Sequence, residues 1–194
     1  NEISVYIHLP FCEKLCTYCG CNTRITKRHS VELPYVEAVL REWASYLNLF
    51  DRRPIVKELH LGGGTPTFFS PKMLKLLVGT ILETVEIAPN ADMGFEAHPS
   101  STTEAHLVAL RNLGFNRLSI GIQDFNQNIL KLINRFQTEE QITFLTHKAR
   151  ELGYTSINYD LIFGLPTQTE ADIIASMEKT IALKPDRLAF YSYA

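Results

Sequence analysis

All four cysteines of the chain lie close together, at Cys12, Cys16, Cys19 and Cys21. The first three have the spacing Cys12-x3-Cys16-x2-Cys19, so three thiolates on one short loop could reach three corners of an iron–sulfur cubane. Disulfides that stabilise a fold usually close long loops, and cysteines this crowded close almost nothing. The pattern therefore predicts reduced thiols that bind metal in a cytoplasmic protein.

The fourth corner of such a [4Fe–4S] cluster has no obvious protein ligand. Cys21 is the remaining cysteine, and it follows Cys19 too closely to reach the far corner comfortably. We therefore expect an open iron that is free to bind a ligand. The alternative is a structural zinc ion, with His8 or His29 as its fourth ligand.

The elements that must position this loop can be read from the pattern of apolar residues. Aliphatic runs predict six strands, near residues 3–9, 55–61, 92–97, 115–123, 155–163 and 186–193. Helical patterns fall between them, near residues 34–49, 71–84, 103–113, 126–133, 138–152 and 169–183. Alternation of strand and helix predicts parallel βαβ units and an α/β fold. No change of composition divides the chain, so residues 1–194 are expected to form one domain.

The faces of the strands indicate which α/β fold is present. One set of alternate positions is aliphatic, as at Ile7 and Leu9, and the other is small or polar, as at Tyr6 and His8. Strands buried on both faces would be apolar on both, so this pattern favours a curved sheet with a polar interior. We predict a partial TIM-type (β/α)6 barrel, with a flat doubly wound sheet as the alternative. The cysteine loop would follow the first strand, at the end where barrel active sites form.

Further polar residues occur where other predicted strands end. Gly62, Gly63 and Gly64 follow the second strand and allow close approach of the backbone to a ligand. Glu96, Gln123 and Asp160 lie on the polar faces of the next three strands. A buried carboxylate needs a partner or a ligand, so this group either lines a site or makes structural caps and ion pairs.

The segment that contains the cysteines resembles a known superfamily. It reads Tyr6-Ile-His-Leu-Pro-Phe-Cys12-x3-Cys16-x-Tyr18-Cys19-Gly-Cys21-Asn22. This segment is similar to that of the radical S-adenosylmethionine (SAM) superfamily and, within it, of the oxygen-independent coproporphyrinogen III oxidases, and the similarity extends along the whole chain. Haem-chaperone-type relatives share the barrel and the cysteine triad but typically lack the Cys-Gly-Cys-Asn continuation, so a haem-binding protein is the alternative function.

The resemblance implies a chemistry. The open iron would bind the amino and carboxylate groups of SAM, and an electron donor such as flavodoxin or ferredoxin would reduce the cluster. Cleavage of SAM would give methionine and a 5′-deoxyadenosyl radical, which abstracts hydrogen from a propionate of coproporphyrinogen III. Loss of carbon dioxide and one electron would leave a vinyl group, and two such steps give protoporphyrinogen IX.

The resemblance also implies roles for individual residues. Tyr6, Tyr18, Gly63 and Glu96 match positions that contact the SAM on the cluster. The oxidases carry a second SAM molecule, and the positions that bind it match Gly64, Thr65, Gln123, Arg135, Asp160 and Ala194. Tyr6 and His8 are candidates for a catalytic role near the cofactor or substrate. His98 is a departure, because many relatives have aspartate there.

Composition excludes some classes of partner. A formal net charge of −2 provides no basic face for nucleic acid. No apolar run approaches the ~20 residues that span a bilayer. The basic stretch Arg24, Lys27, Arg28 and His29 could steer a substrate with four carboxylates, or it could be a solvated loop. The chain begins without methionine, and we expect it to be a piece of a longer protein whose C-terminal part covers the substrate.

Overall fold

A computed structural model describes residues 2–193 and has the predicted alternation of strands and helices. The strands are β1 (Glu2–Leu9), β2 (Phe11–Cys12), β3 (Arg24–Ile25), β4 (Ile55–Gly63), β5 (Glu86–Ala97), β6 (Arg117–Gln123), β7 (Ser156–Phe163) and β8 (Arg187–Ser192). The helices are α1 (Glu32–Leu47), α2 (Pro71–Leu82), α3 (Glu104–Asn112), α4 (Gln127–Leu132), α5 (Glu139–Glu151) and α6 (Glu170–Leu183). Short 3-10 turns cover His29–Val31 and Pro66–Phe68.

Six strands form one sheet in the order β1-β4-β5-β6-β7-β8, and every neighbouring pair is parallel. Because each strand lies beside the next long strand in the chain, the helices between them stack as one consecutive layer, α1 on α2 and α2 on α3. β1 and β8 are the edge strands, so the sheet is an open, partial barrel. The predicted (β/α)6 barrel is confirmed, and the doubly wound alternative is wrong because its strand order would reverse partway.

The two faces of the sheet differ as the sequence predicts. The aliphatic positions are buried, among them Leu9, Leu59, Phe95, Ile120 and Leu161. The alternate positions of the same strands are small or polar and remain partly accessible. Burial of the aliphatic face beneath the helices stabilises the fold at about 25 cal/mol per Å² of apolar surface, and it leaves the polar face for a ligand.

Local signals start and stop the helices. Ser70 caps α2, where its hydroxyl accepts a hydrogen bond from Met73 N at 3.4 Å, and Pro71 occupies the first helical position. Gly114 and Gly153 follow α3 and α5 with φ of 98° and 85°, which only glycine adopts at little cost. These short connections hold each strand end beside its neighbours.

Backbone hydrogen bonds fix both ends of the cysteine loop. Arg24 N donates to Pro10 O at 2.8 Å, and Thr26 N donates to Cys12 O at 2.9 Å, which pairs β3 with β2. On the other side Gly64 N donates to Leu9 O at 2.9 Å, and Thr65 N donates to Phe11 O at 3.0 Å. Cys12 is therefore held between β3 and residues 62–64, which include the last two residues of β4 and are called the glycine turn below.

Within residues 2–193, none of the helices combines the length and the apolar composition needed to cross a bilayer.

Candidate active site

One cavity of about 440 Å³ opens at the C-terminal end of the parallel sheet. Its walls come from the cysteine loop, the glycine turn, the ends of β5, β6 and β7, and the segment after α4. Eleven residues singled out in the sequence line it: Cys12, Cys16, Tyr18, Cys19, Gly63, Gly64, Thr65, Glu96, Gln123, Arg135 and Asp160. Residues that are far apart in the sequence thus share one cavity. Ala194 lies outside the described residues.

All four cysteine thiols line this cavity, and two of them contact a polar side chain. All four cysteines are free. Cys12 Sγ lies 3.2 Å from the Thr65 hydroxyl, and Arg135 Nη1 donates to Cys16 Sγ at 3.7 Å. Burial raises the pKa of the Cys12 thiol, although the Thr65 hydrogen bond opposes the shift. Three soft sulfurs outside any disulfide, two of them beside polar side chains, fit the ligand set of an iron–sulfur cluster.

The alternative of a single zinc ion fits the structure poorly. Among residues 2–193, no three His, Cys, Asp or Glu side chains converge as ligands of one metal ion, whereas a cubane binds each cysteine at a separate corner. The two candidate histidines also have other partners. His8 Nε2 lies 2.8 Å from Asn22 O, and His29 Nδ1 lies 2.6 Å from Glu32 Oε1.

Cys21 also lines the cavity but is more exposed than the other three thiols. Burial and the adjacent Cys19 raise the pKa of the Cys21 thiol to about 11.

Glu96 is the centre of a cluster beside the glycine turn. Its Oε2 accepts a hydrogen bond from Gly63 N at 3.2 Å, and its Oε1 lies 3.5 Å from His60 Nε2. The His60 ring stacks on Tyr6 with centroids 6.0 Å apart. Burial, followed by the charge of Glu96, raises the pKa of Tyr6. The Glu96 side chain remains partly exposed, and its carboxylate oxygens can accept further hydrogen bonds from an ammonium group.

The two residues predicted to be catalytic lie at the edge of this cluster, outside the lining of the main cavity. Tyr6 Oη lies 3.3 Å from His8 Nδ1. His8 packs against Gly63, where an added Cβ would lie 2.7 Å from the His8 ring, and its Nε2 contacts Asn22 O at 2.8 Å. His8 thus connects the glycine turn to the last part of the cysteine loop.

Asp160 belongs to a second polar group, on the polar face of β6 and β7. Its Oδ2 accepts a hydrogen bond from the Ser119 hydroxyl at 2.9 Å, and its Oδ1 accepts one from Asn158 Nδ2 at 2.8 Å. Burial raises the pKa of Asp160 despite these two hydrogen bonds. Asp160, Gln123 and Tyr18 also line an adjoining cavity of about 330 Å³. The two cavities therefore share one wall.

Arg135 connects the cysteine loop to the sheet. It is 6% exposed, and its guanidinium donates to Cys16 Sγ, to Tyr18 Oη at 3.3 Å, and to Gly121 O. Burial raises the pKa of Tyr18, and the nearby guanidinium opposes that shift.

The lining of the cavity also includes His98 and Lys14. Burial, followed by the charges of Arg135 and Lys14, holds the pKa of His98 well below its ordinary value. Neutral His98 accepts a hydrogen bond at Nδ1 from Ser100 N at 3.2 Å. Lys14 Nζ lies 3.6 Å above the Phe136 ring.

The basic stretch Arg24, Lys27, Arg28 and His29 is exposed and is absent from the lining of this cavity. That position fits a solvated loop.

Several residues that support the site carry no distinctive motif. They are His60, Ser119, Asn158 and Gln137, which hold Glu96, Asp160 and Arg135 in place. The alternation of the strands assigns the first three to the polar face, but it gives no reason to select them from their neighbours. Gln137 lies in a loop, where no periodicity applies.

Comparison with known proteins agrees with this geometry. A family model described as the Radical SAM superfamily matches residues 6–180. The oxygen-independent coproporphyrinogen III oxidase of Pseudomonas aeruginosa is 41% identical over 196 aligned positions, covering 100% of this chain and 43% of that protein. The enzyme of the same name from Synechocystis sp. is 40% identical, covering 100% of this chain and 42% of that protein.

A solved structure is similar as well. The coproporphyrinogen III oxidase of Escherichia coli, described as a radical SAM enzyme, superposes with a TM-score of 0.94 at 40% identity, and the match covers 98% of this chain and 44% of that one. The chain thus spans less than half the length of the relatives it matches.

Proposed function

This chain belongs to the radical SAM superfamily, and we propose that its protein converts coproporphyrinogen III to protoporphyrinogen IX without oxygen, by oxidative decarboxylation of two propionate side chains. One observation carries the proposal: the identity of about 40% to coproporphyrinogen oxidases extends over the whole chain. The matching stretch includes the cysteine loop and every strand end that forms the cavity.

Membership of the superfamily implies a [4Fe–4S] cluster and SAM. We assign Cys12, Cys16 and Cys19 as the ligands of three irons, because their sulfurs line one cavity without disulfides. When bound, the cluster and SAM supply a carbon-centred radical that can abstract hydrogen from a propionate. The protein supplies position and exclusion of water.

The residues around the glycine turn suit the amino-acid part of SAM. Glu96 presents a carboxylate beside Gly63, which fits an ammonium group. The Tyr18 hydroxyl lies at the cavity wall beside Arg135, and the Tyr6 hydroxyl lies near His8 at the edge of the Glu96 cluster; each could orient the ligand. Burial raises the pKa of Tyr6, so its hydroxyl stays protonated and can donate a hydrogen bond. His8 would hold Tyr6 and the loop in register.

We propose that a second SAM molecule binds in the adjoining cavity. Gln123 and Asp160 lie in the wall shared by the two cavities. A SAM molecule in one cavity would therefore lie next to a SAM molecule in the other. The Asp160 carboxylate could accept hydrogen bonds from hydroxyl groups of a ribose. Gly64, Thr65 and Arg135 line the first cavity and complete the proposed set together with Ala194.

The protein would also need a cover for its substrate, an electron donor and a reducing compartment. The relatives are more than twice as long as this chain, and we assign the covering of the substrate to a further domain. A small one-electron donor such as flavodoxin or ferredoxin would reduce the cluster. Free thiols and an oxygen-sensitive cluster fit a reducing compartment, which supports the cytoplasm.

The test is product analysis with the intact protein. After anaerobic cluster reconstitution, the protein should release carbon dioxide from coproporphyrinogen III and consume SAM only when a reductant is present. The Cys16→Ala variant is the matched control and should release none. An intact cluster together with tight haem binding and no release of carbon dioxide would instead establish the haem-chaperone function.

A further inference from the structure

We propose that Gln137 is a positioning residue that holds the Arg135 guanidinium against Cys16 Sγ, and that it thereby raises the reduction potential of the cluster bound by that cysteine. This inference rests on the proposed cluster but not on the porphyrinogen. It can therefore fail while the proposed reaction is correct, and it can hold if the substrate is a different one.

The Gln137 amide is buried and bonded on both sides. The residue is 2% exposed. Its Oε1 accepts a hydrogen bond from Arg135 Nε at 2.8 Å, and its Nε2 donates to Ile122 O at 2.6 Å. Because one neighbour is a donor and the other is an acceptor, only one orientation of the amide satisfies both. Gln137 therefore links the Ile122 carbonyl of β6 to the Arg135 side chain.

Two hydrogen bonds fix the orientation of the Arg135 guanidinium. It is planar, so a bond at Nε and another from Nη2 to Gly121 O set the plane of the group. The remaining nitrogen, Nη1, then points to Cys16 Sγ at 3.7 Å and to Tyr18 Oη at 3.3 Å. Without Gln137, the side chain could turn about its last bonds and Nη1 would leave the sulfur.

The end of β6 is shaped to receive this pair of residues. The register between β6 and β7 shifts between Gly121 and Gln123, and Gln123 has a left-handed φ of 66°. The shift turns the Gly121 and Ile122 carbonyls toward Arg135 and Gln137. A Cβ at Gly121 would lie 2.9 Å from Arg135 Nη2, so the guanidinium needs a glycine there.

A guanidinium at a ligand sulfur has a definite electrochemical effect. Reduction adds one negative charge to the cluster, and an N–H donor to sulfur together with a buried positive charge stabilises that charge. The potential of the cluster therefore rises. Gln137 is absent from the cavity lining, so it has to act through Arg135.

The test is an anaerobic redox titration of the reconstituted cluster in the intact protein, followed by electron paramagnetic resonance. SAM is left out, so that any role of Arg135 toward SAM does not enter. In Gln137→Met, which keeps the length but removes both hydrogen bonds, the ratio of reduced to oxidised cluster at a fixed potential should fall about tenfold, or about 59 mV for a one-electron couple. Gln137→Ala should shift it in the same direction.

Thr146→Val is the matched control, because Thr146 is equally buried and bonds Tyr159 and Ile142 O, both outside the cavity lining. In Thr146→Val, the ratio of reduced to oxidised cluster should stay within about twofold of that in the unchanged protein. An unchanged ratio in Gln137→Met, or an equal fall in Thr146→Val, would overturn the proposal. Failure of both Gln137 variants to fold, as judged by circular dichroism, would also overturn it, because Gln137 would then serve the fold.

Discussion

The three cysteines on the loop have unequal surroundings. Cys12 meets the Thr65 hydroxyl, Cys16 meets Arg135, and Cys19 lies next to the more exposed Cys21. Contacts with Thr65 and Arg135 position two of the sulfurs at the wall of the cavity. Cys12 and Cys16 are thus contacted by two different parts of the fold, the turn after β4 and the segment after α4.

The first prediction concerns the choice of ligands. Replacing Cys12, Cys16 or Cys19 by alanine should abolish the visible absorbance of the reconstituted cluster, because each change removes one of the three proposed iron ligands. Cys21→Ala is the control and should keep it, since the fourth iron needs no protein thiolate. Loss of the cluster in Cys21→Ala alone would contradict the open iron.

The second prediction separates two SAM sites in the intact, reduced protein. Asp160→Asn should weaken one site about tenfold and leave the other, because Asp160 lies in the wall of the second cavity. Glu96→Gln should weaken the site at the cluster, since the carboxylate beside Gly63 is lost. Equilibrium dialysis measures both. A single site in the unmutated protein would count against the proposed pair.

At the scale of the element, the glycine turn packs against the backbone of the cysteine loop. A Cβ at Gly64 would lie 2.6 Å from Pro10 O, which is a backbone atom and cannot move aside alone. Gly64→Ala should therefore lower the free energy of unfolding by about 1–3 kcal/mol, as measured by urea unfolding of the cluster-free protein. Gly20→Ala, with no atom within 4 Å of its Cβ, should change it by no more than about 0.5 kcal/mol. Equal effects would contradict this packing.

A buried histidine makes the start of α3 sensitive to pH. His106 is neutral when its Nδ1 accepts from Thr103 N at 3.1 Å and its Nε2 donates to Phe69 O at 3.0 Å. Burial lowers the pKa of His106 below that of the unfolded chain, about 6.5. The stabilisation is therefore present above that value and is lost as the pH falls through the window below it.

The corresponding variant is His106→Gln, which can still cap the helix and has no proton to gain. Between pH 7 and pH 5 the free energy of unfolding should fall less steeply in this variant than in the unchanged protein. His147→Gln, at an exposed position of α5, is the control and should retain the full slope. Identical slopes in all three proteins would contradict the prediction.

At the scale of the whole molecule, the polar face of the sheet is open. Tyr6 is 58% exposed on that face, and the edge strands β1 and β8 leave the barrel unclosed. The relatives are more than twice as long. Oxygen that reaches a carbon-centred radical traps it, so we expect turnover to require a cover.

Residues 1–194 produced alone should therefore load a cluster but release no carbon dioxide from coproporphyrinogen III. The Pseudomonas aeruginosa relative, cut to its matching segment, should lose its turnover in the same way, while its uncut form serves as the positive control. Iron content and release of carbon dioxide measure the two properties. Turnover by residues 1–194 alone would show that this face needs no cover.

The sequence by itself determined the strands, the helices and the barrel, and it predicted which cysteines would bind the cluster. These features depend on local signals: alternation along a strand, caps such as Ser70, and the spacing of Cys12, Cys16 and Cys19. It also assigned Glu96 and Asp160 to the polar face, because the period of a strand is two.

Only the tertiary structure decided which side chains hold those residues. Cys16 and Arg135 lie 119 positions apart, and Glu96 is 33 positions from Gly63. Such contacts depend on how the strand ends meet and on the register shift at Gly121, and neither leaves a periodic signal. The role of Gln137 is visible only in three dimensions, since its two partners are a loop arginine and a backbone carbonyl.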